Sequence, residues 1–176
     1  MKRFVRLTLV ALIVACAALP FASAALDADT LPANAAALRA NAGNTFVLTP
    51  TADPSVFTIT ADGVAQVSLA GNCTEHAVLQ VHFPASPGQP ILLSGGGTLT
   101  SSDAATSLKF TVTGTATPDP ANPAFFNNSY QVTFAGGSGA FASATGKAQI
   151  NELVVFTSQL GGTGTWTMKG YVVSSP

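Results

Sequence analysis

The sequence predicts an all-β protein, a single antiparallel β-barrel of about eight strands, on two observations. From Thr45 onward apolar residues alternate with polar ones at every second position, the period of a strand with one buried face. Short turn signals separate these runs, with no stretch between them suited to a crossover helix, so neighbouring strands are expected to be antiparallel. A β-sandwich is the alternative, and the barrel is favoured because closure removes exposed sheet edges.

The alternation can be followed strand by strand along the chain. Its apolar positions predict the residues that face the interior, which are Phe57, Leu79, Val81, Phe110, Val112, Tyr130, Val132, Phe134 and Trp166. Gly, Pro, Ser and Asp punctuate the runs and predict turns. These predicted turns lie at Asp62-Gly63 and at residues 84–90, 101–105, 136–139 and 161–164.

The first 24 residues are typical of a secretory signal peptide. Three basic residues precede a short apolar run, and small residues at 22–24 offer a cleavage site. The apolar run is shorter than the roughly 20 residues of a membrane-spanning helix, so no transmembrane helix is expected. The protein is therefore predicted to be secreted or periplasmic, starting at Ala25. Residues 13–16 also resemble a lipobox, so a lipid anchor through Cys16 is the alternative.

Two segments are expected in the mature chain. Residues 25–43 are rich in alanine and predict a short helix or a tether, while residues 44–176 carry the barrel pattern. One strand, over residues 153–156, is apolar on both faces and needs a cover on its outer side. The N-terminal segment or a second subunit can provide that cover, and a homo-oligomer is therefore expected.

Charge and cysteine content exclude several classes of partner. Only four of the seven basic residues remain after removal of the signal peptide, against eight acidic ones. Nucleic acid and anionic membrane surfaces both require clustered Lys and Arg, so neither is an expected partner. Cys73 is the only cysteine of the mature chain, which precludes an internal disulfide and favours a buried thiol.

A glycine-rich hairpin carries a resemblance to a known family. Residues 136–141 read Gly-Gly-Ser-Gly-Ala-Phe and are followed by Ala144 and Gly146. This GGxGxFxxAxG pattern resembles a hairpin of plant allene oxide cyclases, dirigent proteins and secreted bacterial barrel proteins. The resemblance implies an eight-stranded barrel that forms dimers or trimers. Locally, the glycines suit a tight turn and Phe141 is expected to cap one barrel end. No catalytic residue of those families can be matched to a position here.

Cys73, Glu75, His76 and His82 are residue types that zinc accepts. Strand geometry separates them, because Cys73 and Glu75 fall on one face and the two histidines on the other. Only a bulge would bring Cys73 and His76 together, so no metal and no cofactor are expected.

Glu152 is the acid that stands out for chemistry. It shares its predicted face with Ile150, Val154 and Phe156, which places a carboxyl group in an apolar interior. Such a group can bind the polar head of a ligand or act as a general acid, and Tyr130 is the only other interior candidate. A position near the rim, in contact with water, is the alternative.

These observations predict an exported, non-catalytic barrel that binds a small apolar ligand or a partner protein. The residues expected to contact a ligand are Phe110, Tyr130, Phe134, Glu152 and Trp166. An isomerase or cyclase, as the resemblance implies, is the first alternative, with Glu152 and Tyr130 as its catalytic candidates. A structural cell-surface protein is the second alternative.

Overall fold

Eight strands follow one another along the chain in the computed structural model, which describes residues 31–32, 34–86 and 89–174. The strands are β1 (Ala35–Pro50), β2 (Val56–Val67), β3 (Gly71–His82), β4 (Ile91–Ser101), β5 (Ser107–Pro118), β6 (Phe125–Ser138), β7 (Thr145–Ser158) and β8 (Gly161–Val173). The one helical turn of the described part is a 3₁₀ turn at Gly139–Phe141.

Each strand pairs antiparallel with the next, and β1 also pairs with β8, so the sheet closes into a barrel. The predicted eight-stranded antiparallel barrel is confirmed. Closure leaves no strand edge without a hydrogen-bonding partner strand. Alternate residues therefore face the interior on every strand, and the parity predicted from Phe110, Tyr130 and Trp166 is correct.

The helix or tether predicted for residues 25–43 is wrong where the structure describes it, because residues 35–43 belong to β1. Leu38, Ala40 and Ala42 are buried while Arg39 and Asn41 are exposed, so this segment has the alternation of a strand. Its alanines gave a helical composition, but pairing with β2 on one side and β8 on the other supplies the backbone partners that hold it extended.

Three predicted turns also lie wholly or mostly inside strands, and one of them, at residues 136–139, overlaps β6 up to Ser138. Asp62-Gly63 is in the middle of β2, and residues 161–164 begin β8, so the β7–β8 turn is at residues 159–160. Gly63 is paired with Asn44 and with Glu75 on the neighbouring strands. A Cβ at Gly63 would lie 2.7 Å from the Cβ of Asn44. This glycine therefore permits a close approach between strands rather than a turn.

The barrel is filled at the end where β1 begins and β8 ends. The most deeply buried side chains lie at this end and in the middle of the barrel. They are Leu38, Leu99, Leu108, Val132, Met168 and Val172. Phe141 of the 3₁₀ turn joins this core and is buried, so its predicted capping role is confirmed. Gly136 and Gly139 have φ values of 79° and 58°, which glycine adopts without strain. The glycine-rich hairpin thus closes the filled half.

The predicted signal peptide (residues 1–24) and the alternative lipidation site Cys16 lie outside the described residues. A search of the described residues for a helix of membrane-spanning length and apolarity finds none.

Replacing Phe141 by alanine is expected to lower the free energy of unfolding by about 3–5 kcal/mol, because the ring fills the end of the core and nothing replaces it. Urea unfolding of the variant measures this loss. Phe141→Leu, which keeps most of the apolar volume, is the matched control and should lose less. Equal stability of Phe141→Ala and the wild type would show that the turn does not close the core.

Candidate functional site

A cavity of about 90 Å³ occupies the other half of the barrel. Its lining includes residues from the ends of β1, β3, β5 and β7 and the starts of β4 and β6. Apolar walls come from Phe46, Leu48, Ile59, Ala61, Ala77, Leu79, Val81, Phe83, Ile91, Leu93, Phe110, Val112, Ala116, Phe126, Ile150, Val154 and Phe156. The interior is therefore hollow in one half and filled in the other.

Aromatic rings surround the outer end of this cavity. Phe156 contacts Phe46 and Phe126 edge-to-face, with ring centroids 5.2 and 5.4 Å apart. Phe83 lines the same cavity, packs against Phe57 at 5.6 Å, and is 39% exposed. Because a lining residue is also exposed to solvent, the cavity extends to this end of the barrel.

Six hydrogen-bonding side chains form one group in the lining, which we term the polar cluster. They are Asn44, Glu75, Asn128, Tyr130, Glu152 and Trp166. They come from five strands, β1, β3, β6, β7 and β8. The polar cluster therefore joins both sides of the barrel around the apolar cavity.

Glu75 accepts hydrogen bonds from two members of the polar cluster. Trp166 Nε1 donates to Glu75 Oε2 at 3.0 Å, and Asn44 Nδ2 donates to the same oxygen at 3.4 Å. Trp166 lies on β8 and Glu75 on β3, and these strands are not neighbours in the sheet. The Trp166–Glu75 bond thus crosses the barrel interior. Only Gly63 separates Asn44 from Glu75 along the sheet, which leaves room for their contact.

Glu152 is the acceptor of a second group. Tyr130 Oη donates to Glu152 Oε2 at 2.8 Å. Asn128 Nδ2 donates to the same carboxyl oxygen and to Tyr130 Oη, both at 3.0 Å. Asn128 and Glu152 are direct cross-strand partners on β6 and β7, and Tyr130 follows two positions along β6. Strand register therefore places all three side chains on one inner face.

Gly164 on β8 brings these two groups together. A Cβ at this position would collide with Asn44 Oδ1 and with Glu152 Oε1. Both oxygens therefore occupy space that a side chain would otherwise fill. The absence of a side chain at Gly164 allows the Glu75 group and the Glu152 group to act as one polar cluster.

The polar cluster has more acceptors than donors. Asn44 Oδ1 and Asn128 Oδ1 are buried and have no hydrogen-bond partner, although buried amide oxygens are nearly always paired. No basic side chain reaches them within the described residues. All four basic residues there are exposed, and they are Arg39, Lys109, Lys147 and Lys169.

Burial in this environment changes two pKa values. Desolvation raises the pKa of Glu75, and the charges of Glu152 and Asp62 add to this, while hydrogen bonds from Trp166 and Asn44 oppose it. Desolvation also raises the pKa of Tyr130 well above its ordinary value, and the charge of Glu152 raises it further. Tyr130 therefore remains a hydroxyl donor at physiological pH.

Four of the five residues predicted to contact a ligand line the cavity: Phe110, Tyr130, Glu152 and Trp166. Phe134 faces the interior but lies outside the cavity lining, in the filled half. Its place on β6, beyond Tyr130 and Val132, carries it toward the glycine-rich hairpin. Parity identified the inner face but not the position of the cavity along it.

The residues considered for a metal are not brought together. Cys73 is buried on the inner face, and its pKa is raised by burial and by the charge of Asp103. His76 is on the outer face, where its Nδ1 lies 2.7 Å from Asp62 Oδ1. Among the described residues, no group of three or more His, Cys, Asp or Glu side chains is arranged to hold a metal ion.

Sequence analysis missed Asn44, Glu75 and Asn128 as members of the site. The sequence could have identified Glu75, because the alternation of β3 places it on the same inner face as Ala77 and Leu79. Asn128 has the parity of Tyr130, but the pair Asn127-Asn128 at the predicted start of a strand resembles turn residues. Asn44 lies in β1 (Ala35–Pro50), directly after the residues 35–43 that were predicted as part of a helix or tether.

Comparisons with protein-family models, with curated proteins and with solved structures find no match to this chain.

Glu75→Gln is expected to remove a pH-dependent contribution to stability. Because the pKa of Glu75 is raised in the folded state, the folded protein binds the proton of this carboxyl group more tightly than the unfolded protein does. This contribution is fully present below the ordinary carboxyl pKa of about 4.3 and is lost as pH rises through the raised pKa. The unfolding free energy of the wild type, minus that of Glu75→Gln, should therefore fall as pH rises.

Urea unfolding of both proteins at a series of pH values measures this difference, in which the contributions of the other carboxyl groups cancel. At neutral pH, Glu75→Gln should be at least as stable as the wild type, because its amide still accepts from Trp166. Parallel curves for the two proteins would contradict the expectation.

Proposed function

We propose that this protein is an exported, non-catalytic barrel that binds one small, mainly apolar ligand in its hollow half. The observation that supports this most directly is the cavity itself, which reaches one end of the barrel while the other half is filled. Eight-stranded barrels are either filled by their own side chains or hold one small ligand, and this barrel does each in one half.

The lining supports a ligand that is apolar over most of its surface. Aliphatic and aromatic side chains form the walls, and polar groups are confined to the polar cluster. Binding sites commonly combine apolar walls with a few oriented polar groups. The cavity of about 90 Å³ is smaller than the roughly 300 Å³ of sites for drug-sized ligands, so a small molecule or one end of a larger one is the expected occupant.

An isomerase or cyclase is the second candidate, and the Tyr130–Glu152 hydrogen bond favours it. A hydroxyl and a carboxyl group in an enclosed site can donate and accept a proton. Among the described residues that line the cavity there is no serine, cysteine, histidine or lysine, so covalent catalysis through those side chains is not part of this candidate. Turnover of a bound ligand would distinguish it from simple binding. A structural surface protein would need no cavity.

Filling the cavity is expected to abolish ligand binding. Cyclopentane is a suitable probe because it is small and apolar, and the single tryptophan, Trp166, lines the cavity and reports binding by its fluorescence. Ala116→Leu adds an inward-facing side chain near the cavity end and should weaken binding by about tenfold or more, since it takes the space of the probe.

Thr117→Leu is the matched control. It adds a leucine at the next position of β5, which is exposed, and should leave the affinity for cyclopentane unchanged. The proposed function would be contradicted if cyclopentane changed neither the fluorescence of Trp166 nor the NMR amide shifts of cavity residues in the wild type. Equal affinities of the two variants for cyclopentane would contradict it as well.

We also propose that the protein self-associates through the outer face of β7. Leu153 is 44% exposed on this face. Val155 lies on the same face, and its cross-strand partner Phe125 on β6 is half-buried. Residues 35–43 cannot cover this face because they form β1 of the barrel. A second copy of the chain is the partner that we propose.

Leu153→Asp together with Val155→Asp is expected to give a folded monomer, because burial of two carboxylates in an apolar contact is costly. Light scattering measures the mass of the variant and of the wild type. Thr111→Asp with Thr113→Asp, two exposed positions on β5, is the control and should retain the wild-type mass. A wild-type protein that is itself monomeric would contradict the proposal.

A further inference from the structure

We propose that the ligand of this cavity carries a protonated amine, which the polar cluster binds, on a compact apolar body. This inference rests on the proposed function and specifies the ligand class. The cavity offers two carboxyl groups, Glu75 and Glu152, and two buried amide oxygens without a partner, Asn44 Oδ1 and Asn128 Oδ1. An ammonium group has up to three donors and one positive charge, which match this set.

The donors of the polar cluster are already committed within the described residues, except for the second amide N–H of Asn44. Trp166 Nε1 donates to Glu75, and Tyr130 Oη donates to Glu152. The amide of Asn128 donates to Glu152 and Tyr130, and that of Asn44 donates to Glu75. Each of these bonds ends on Oε2 of a carboxyl group or on Tyr130. Glu75 Oε1 and Glu152 Oε1 accept no side-chain hydrogen bond in the described part of the chain, so both remain available to a donor from outside.

The described part of the chain supplies no cation to this site. The four basic residues of the described part are exposed on the outside of the barrel. The two histidines are exposed as well, and His76 contacts Asp62 there. Buried charges are ordinarily paired with an opposite charge. Glu75 is buried and Glu152 is partly buried, so we expect the positive partner to arrive with the ligand.

The surroundings of the polar cluster favour an amine over a metal ion. Phe110, Ile150 and Val154 line the same cavity as Glu152, so a ligand that reaches the carboxyl groups also contacts apolar walls. A hard metal ion takes six or more oxygen ligands and retains water, and apolar walls supply no oxygen ligands. An amine on a hydrocarbon ring satisfies the carboxyl groups and the walls together.

Four probes of one size test this inference at neutral pH, with the full mature chain and Trp166 fluorescence checked by calorimetry. They are cyclopentylamine, cyclopentanol, cyclopentanecarboxylate and cyclopentane. The amine should bind about tenfold tighter than the alcohol, since hydrogen bonds between charged groups are roughly twice as strong as neutral ones. The carboxylate should bind weakest, because it places a negative charge beside the two carboxyl groups of Glu75 and Glu152.

Variants identify the groups that recognise the amine. Glu152→Gln and Glu75→Gln each replace a carboxyl group by an amide with little change of shape and should each reduce the preference for amine over alcohol by about tenfold. Their affinity for cyclopentane should fall much less than their affinity for the amine, which separates loss of a carboxyl group from loss of the cavity. Asp62→Asn is the matched control, because it removes a charge on the outer face that is 66% exposed, and it should retain the amine preference.

The outcomes separate the inference from the proposed function. If cyclopentane binds and the amine binds no tighter than the alcohol, the cavity binds ligands and the amine assignment is wrong. If none of the four probes binds, the proposed function fails with it. Binding of Ca²⁺ alone, measured by calorimetry and lost in Glu152→Gln, would overturn the amine in favour of a metal ion.

Discussion

The pairing of β1 with β8 is the constraint on which the rest of this structure depends. It runs from Ala35–Val173 to Val47–Gly161 and converts a meander with two free edges into a closed surface. Closure fixes how many side chains share each level of the interior. It also places Asn44 beside Gly164 and Trp166 within reach of Glu75, so the polar cluster exists only in the closed sheet.

The distribution of side-chain volume along the barrel decides where the cavity lies. At one end, leucines, Met168 and Phe141 are buried in the interior. Toward the other end, small inward residues such as Ala61, Ala77 and Ala116 line the walls, and the larger rings of Phe126 and Phe156 pack against each other. Eight strands enclose just enough width for side chains to fill, so a few alanines are sufficient to leave space.

The sequence predicted the barrel and the inner face of most strands, but not the cavity. Alternation is a local property, and it placed Tyr130 and Trp166 correctly because each lies in a strand with a regular apolar period. Glu152 was placed by its parity with Ile150 and Val154, although residues 153–156 are apolar on both faces. The prediction of a helix or tether was wrong for residues 35–43 because alanine favours helices in isolation. In the barrel, pairing with β2 and β8 holds these residues in a strand.

Glycines were the second source of error. Asp62-Gly63 has the composition of a hairpin turn, yet Gly63 and Gly164 serve to let strands and polar side chains approach within the sheet. Such a requirement depends on which residues lie opposite, and register across a closed sheet cannot be derived from one strand at a time. The same holds for the meeting of Glu75 and Trp166, which are 91 positions apart in sequence.

The polar cluster is the feature that the fold itself does not require. A barrel of this size is most simply stabilised by apolar side chains, and two carboxyl groups with unpaired amide oxygens inside it lower stability. Residues that contradict the local rules of packing are concentrated at functional sites. Asn44 and Asn128 could each be replaced by an aliphatic side chain with fewer unpaired groups. Their presence beside Glu75 and Glu152, at the inner end of an apolar cavity, is explained if an external donor completes the hydrogen bonds that the chain leaves open.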